Sequence, residues 1–142
     1  MKKNRLVSEF KVDFDLYGIV CNVKDYKLAW FINSKLNLSL VKQEEVSLEF
    51  SDHSVILFST FKHQTSATCI ELVQNKLVGQ GASRSRHLVP ELAQFDYLLK
   101  WKDESEELSS EMISEAIKDI SLVEYVARLN FEDLKSKENL LY

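Results

Sequence analysis

At 142 residues the chain has the length of one domain and can bury roughly 68–70% of its unfolded surface, enough for a single core. Hydrophobic residues make up 45% and charged residues 28%, with three Gly and one Pro, a balance that excludes a disordered or low-complexity chain. The net charge of −4 and pI near 5.4 lack the basic excess that marks most nucleic-acid binders.

The basic start Met1-Lys2-Lys3-Asn4-Arg5 is followed by Ser8, Glu9, Lys11, Asp13 and Asp15, so no secretory apolar region follows it. No apolar run reaches the roughly 18 residues a spanning helix needs. A cytoplasmic protein with no membrane association is expected. Cys21 and Cys69 stand far apart in apolar, strand-like runs, which suits two reduced, buried thiols better than a zinc or redox pair.

Residues 12–23 alternate, with Val12, Phe14 and Leu16 on even positions and Ile19, Cys21 and Val23 on odd ones. A change of phase at Gly18 predicts a bulge or bend in one strand. A helix opening at Asn22 or Lys24-Asp25 runs to about Leu36, with Leu28, Ala29, Ile32 and Leu36 on one stripe. Tyr26 and Trp30 fall on another side of it. That arc is too wide for a helix that covers one sheet face and otherwise meets water, so Tyr26 and Trp30 are the interface candidates.

From Leu38 to Asn75 the pattern is strand throughout: Val46, Leu48 and Phe50 alternate, Asp52-His53 makes a turn, and Val55–Phe61 and Ala67–Val73 follow as a meander. A polar loop occupies Gly79–Arg86. Phe95, Tyr97, Leu99 and Trp101 then alternate with polar or smaller residues as the cleanest strand of the chain. Ser109 or Ser110 caps a second helix whose narrow stripe is Leu108, Met112, Ile113, Ala116, Ile117 and Ile120. Residues 122–129 return to strand, Asn130 caps a short turn through Leu134, and the tail Leu140-Leu141-Tyr142 is apolar enough to dock.

These elements predict an α+β fold over a single domain, residues 1–142, with a mainly antiparallel sheet carrying two amphipathic helices packed on one face. The other sheet face would be left open for dimerisation or ligand binding.

The run Leu88-Val89-Pro90-Glu91-Leu92-Ala93-Gln94-Phe95-Asp96-Tyr97 resembles the motif that names the IPExxxVDY family of small bacterial proteins. Pro90, Glu91, Asp96 and Tyr97 match it, while Val89 and Phe95 replace an Ile and a Val. Asp25-Tyr26-Lys27-Leu28-Ala29-Trp30, Asn33 and the ending Leu134-Lys135-Ser136-Lys137 extend the resemblance over most of the chain. It implies a pedigree and no particular activity. Physically, Pro90 lacks an N–H and favours the first position of a helical turn, Tyr97 should point with Phe95 and Leu99, and Asp96 should point oppositely. Glu91 and Asp96 are therefore not a ready catalytic pair, and a structural corner in which Glu91 accepts hydrogen bonds is expected.

Ser83-Arg84-Ser85-Arg86-His87 concentrates positive charge and hydroxyls, so Arg84, Arg86 and His87 are anion-binding candidates. They lack the spacing of a P-loop or dinucleotide fingerprint. His53, His63 and His87 form no metal spacing, and no metal or cofactor is implied. The aromatic set Tyr26, Trp30, Phe58, Phe61 and Trp101 reads as core, or as apolar interface where exposed, rather than as base-stacking platforms. The leading expectation is a non-catalytic protein acting through protein contacts, as a homodimer or with another protein. An anion or nucleic-acid binder at Arg84–His87 is the alternative, and an enzyme with a site beside Pro90-Glu91 the further one.

Overall fold

The computed structural model describes residues 14–49, 53, 55–78, 85–105 and 107–140, without the side chains of Val78, Ser85, Arg86 and Lys137. The expected beginning of the first strand at Val12, along with Phe50, Asp52, residues 79–84 and the last two residues of the tail, lies outside them. The chain forms β1 (Asp15–Cys21), α1 (Asp25–Leu36), β2 (Val41–Lys42), β3 (Val46–Glu49), β4 (Val55–Phe58), β5 (Thr60–Gln64), β6 (Thr68–Gln74), β7 (Lys76–Val78) and β8 (Ser85–His87). Then follow β9 (Tyr97–Asp103), α2 (Ser110–Lys118) and β10 (Val123–Leu129), with single 3₁₀ turns at Pro90–Leu92, Phe131–Asp133 and Lys137–Leu140. Six strands form one sheet in the order β10-β1-β9-β6-β5-β2, all of its pairs antiparallel. The fold is α+β, as the sequence predicts.

Both helices cover one face of this sheet. Leu28, Ala29 and Ile32 of α1 and Ile113 and Ile117 of α2 share a cluster with Tyr17, Ile19, Cys21, Ile70, Leu72, Tyr97, Leu99 and Trp101. Ser109 is the cap of α2, its Oγ accepting the Met112 N–H at 3.2 Å. Met112 itself is exposed, which narrows the expected stripe. At its other end α1 closes on Asn37 in the left-handed region, φ 55°, a conformation Asn tolerates better than most residues. Lys35 of α1 meets Asp119, just past α2, at 2.6 Å.

The opposite face is not open, which corrects the sequence reading. Leu16, Val73 and Leu98 are apolar there too, and they are buried beneath Ile56 and Phe58, Leu77, Leu88, Val89, Leu92, Phe95, Phe131, Leu134 and Leu140. The cover consists of two antiparallel ribbons, β3–β4 and β7–β8, with the three 3₁₀ turns. The predicted Val55–Phe61 strand is therefore two strands joined at Ser59: β4 pairs with β3 over the sheet, and β5 pairs within it.

Nor does β1 change phase at Gly18. Tyr17, Ile19 and Cys21 face the helices while Leu16 faces the ribbons, so the two apolar sets are the two faces of one regular strand. The register shift falls between Val20 and Cys21 against β10. Gly18 serves a close approach instead, because a Cβ there would lie 2.6 Å from the Phe95 ring. Phe95 consequently lies in the ribbon-side cluster, away from Tyr97 and Leu99, contrary to the expected alternation. Among the described residues no helix is long and apolar enough to cross a membrane.

Candidate functional site

Val89 is extended, with φ −118° and ψ 97°, and Pro90 begins the 3₁₀ turn, as the backbone restrictions around proline predict. Leu92 N–H closes that turn on Val89 O at 2.9 Å, and Phe95 N–H follows on Leu92 O at 3.0 Å. Inside the corner sits Asn75, fully buried between β6 and β7. Its Oδ1 accepts the Val89 N–H at 2.8 Å, and its Nδ2 donates to Leu92 O and Phe95 O, each at 2.9 Å. Its backbone joins in: Leu88 N–H donates to Asn75 O at 2.7 Å, and Asn75 N–H to Asp96 O at 2.9 Å. Three of the four hydrogen bonds an Asn amide can make are thus spent on this turn. Sequence reasoning missed Asn75, whose only signal is a polar residue between the apolar runs of β6 and β7.

The motif side chains divide between two parts of the chain, Glu91 going to one and Asp96 and Tyr97 to the other. Glu91 accepts the Ser136 N–H at 2.7 Å, fastening the chain after the Phe131–Asp133 turn. Burial alone would raise its pKa, but hydrogen bonds from its own backbone and from Ser136 and Lys135 hold it below the ordinary value. Asp96 accepts the Cys21 N–H at 2.9 Å, and the Tyr97 hydroxyl donates to Val23 O. Those two bonds secure the connection from β1 to α1. Burial first, then the nearby Asp25, Cys21 and Asp96, pushes the Tyr97 phenol upward, so it stays a neutral donor.

Beside this clasp lies a cleft of about 210 Å³ lined by Cys21, Asn22, Val23, Gln74, Lys76, Asp96 and Tyr97, smaller than the roughly 300 Å³ at which ligand pockets begin. The Cys21 thiol is buried, and both burial and Asp96 push it upward, away from the thiolate a nucleophile needs. The structure therefore brings Asp96 and Tyr97 together and leaves Glu91 with a different segment. A larger hollow of about 490 Å³ at the far end of the sheet includes His63 and Asp103. There Asp103 accepts from Thr68, Ser105 and Leu108, and His63 Nδ1 accepts the Ser39 N–H at 3.0 Å, so these groups cap loops.

Of the anion-binding candidates, Arg84 lies outside the described residues, as does the side chain of Arg86. Arg86 and His87 belong to β8, paired with Leu77 and Lys76, so the loop expected to reach Arg86 ends in a strand. Among the described residues no group of three or more His, Cys, Asp or Glu could hold a metal ion. Tyr26 and Trp30 are 64% and 62% exposed, whereas Phe58, Phe61 and Trp101 are buried. The expected division between core aromatics and an apolar surface thus separates α1 from the strands. Trp30 meets Phe31 edge to face with centroids 5.2 Å apart. Compared with protein-family models, curated proteins and solved structures, the chain matches none.

Proposed function

We propose that this protein is a non-catalytic binding module of the cytoplasm, related to the IPExxxVDY proteins, that acts through contacts with a second copy of itself and with another protein. The observation that carries the reading is the exposure of Tyr26 and Trp30 on α1. Large aromatic side chains supply much contact area at low entropic cost and are enriched at protein interfaces. The Pro90–Tyr97 segment supports it from the other side, because Glu91, Asp96 and Tyr97 each bond a backbone group elsewhere in the chain. Groups so engaged act as fasteners.

The test is the solution mass of wild type and Trp30→Glu by light scattering, with circular dichroism to show that both are folded. A wild-type mass twice that of the 16.5 kDa chain is expected. If Trp30→Glu halves it, the second copy docks on α1; if the variant stays dimeric, the α1 aromatics serve a different partner. A wild type that is monomeric at high micromolar concentration, with no partner recovered from lysate, overturns the proposal.

A further inference from the structure

The six-stranded sheet ends in two very different edges. One edge, β2, has two residues, and the other, β10, has seven. Among the described residues β1 is the sole strand paired with β10. An unpaired edge of that length is a template for another strand unless Pro, Lys or shortness blunts it. The sequence of β10, Val123-Glu124-Tyr125-Val126-Ala127-Arg128-Leu129, contains no Pro and no Lys; its bulge falls at Glu124, between the register partners Val123 and Tyr125, and Tyr125–Leu129 run in unbroken register with β1.

The direction of its free backbone groups follows from β1. Ile19 O accepts the Asp96 N–H at 2.9 Å, so Ile19 turns its peptide groups toward β9. Alternate residues of an antiparallel strand bond to opposite sides. Gly18 and Val20 therefore bond to β10 through their register partners Ala127 and Tyr125, leaving Val126 and Arg128 with N–H and C=O directed outward.

We infer that β10 pairs antiparallel with β10 of a second copy, about a two-fold axis at Val126, making one sheet continuous across a homodimer. The inference rests on the homodimer reading above and gives it a seam other than α1. With Val126 opposite its own copy, Tyr125 faces Ala127, a large side chain against a small one, and Glu124 faces Arg128 twice over. The segment is therefore complementary to its own antiparallel image in both size and charge, the property a two-fold interface demands. An edge protected against self-pairing would carry like charges at those two positions. Arg128 also holds Asp15 of its own chain at 2.8 Å, and its guanidinium has donors enough for both carboxylates. Tyr125, 58% exposed and stacked on Phe95, and Leu122 flank the seam and would be covered by it.

The test uses the full chain carrying Glu124→Arg or Arg128→Glu, analysed for mass at low salt, where charge pairs are least screened. Each single variant sets like charges against each other twice and should bind its own copy at least about 100-fold more weakly than wild type. An equimolar mixture of the two should recover a dimer containing one of each, and Trp30→Glu should remain dimeric. Melting curves identify any variant that merely unfolds, and the mixture is informative because each of its chains faces only opposite charges. Variants that stay dimeric alone, or folded variants that stay monomeric when mixed, overturn the seam while leaving the homodimer intact. A monomeric wild type overturns both.

Discussion

The two faces of the central sheet are covered by different means. On one face α1 and α2 lay continuous apolar stripes over Tyr17, Ile70, Leu99 and their neighbours, and the cover is held by packing along regular helices. On the other, ribbons and single turns cover Leu16, Val73 and Leu98. These pieces are too short to organise themselves, since isolated ribbons and single turns are marginal in water. Side-chain bonds to backbone hold them in place: Asn75 at the corner, Glu91 on Ser136, Asn139 Nδ2 donating to Leu88 O at 2.7 Å, and Lys100 Nζ donating to Leu140 O at 2.9 Å. An irregular layer thus gains its definition from a few polar residues, whereas a helical layer spreads it over many apolar ones.

That contrast predicts where single substitutions hurt most. Asn75→Ala should be the most damaging, because it leaves the Val89 N–H and the Phe95 carbonyl buried without their partner and takes from Leu92 O one of its two bonds, the other being from Phe95 N–H; at about 1–3 kcal/mol for each of the two orphaned groups and about 1 kcal/mol for the further bond, a loss of about 3–5 kcal/mol is expected by urea denaturation. Ile117→Ala removes a fully buried side chain from the helical face and should cost about 3 kcal/mol. Were Ile117→Ala clearly the worse of the two, the contrast between a clasped and a packed face would collapse. Gly18→Ala forces a methyl group against the Phe95 ring, and overpacking of this kind costs about 2 kcal/mol. The companion Phe95→Leu should recover part of that loss if the ring is the obstacle; no recovery in the double variant would point to the backbone instead.

What the sequence made legible divides along the same line. The helical face could be read because Leu28 and Ile32, or Ile113 and Ile117, are neighbours at helical spacing, and the Ser109 cap is a local signal. The turn at Pro90 was legible because proline restricts its own backbone and that of Val89. The ribbon-side cover was not, because the bonds that define it join distant positions: Val89 and Asn75 are 14 residues apart, Ser136 and Glu91 45, and Cys21 and Asp96 75. The burial of β1 on both faces misled for a related reason, since Leu16 and Tyr17 are consecutive apolar residues that periodicity reads as a slip in phase. At the motif, the fastening role expected for Glu91 agrees with its bond to Ser136, but nothing local indicated that Asp96 and Tyr97 would close on the β1–α1 connection.

The smallest expected effect is also the most specific to the clasped face. Glu91 has a folded-state pKa below its ordinary value of about 4.5, so its contribution is fully present above that ordinary value and is lost as pH falls through the lowered one. Glu91→Gln keeps an oxygen that can accept the Ser136 N–H but removes the charge that strengthens the bond. With the residue exposed to solvent, the difference at pH 7 should be modest, about 0.5–1 kcal/mol. Urea denaturation at pH 7 and again near pH 3 should show the gap between wild type and variant shrinking on acidification, because protonation takes from the wild type what the substitution has already removed. A gap that stays constant between the two pH values would mean that Glu91 holds Ser136 by shape alone, and the charge-assisted part of the clasp would have to be given up.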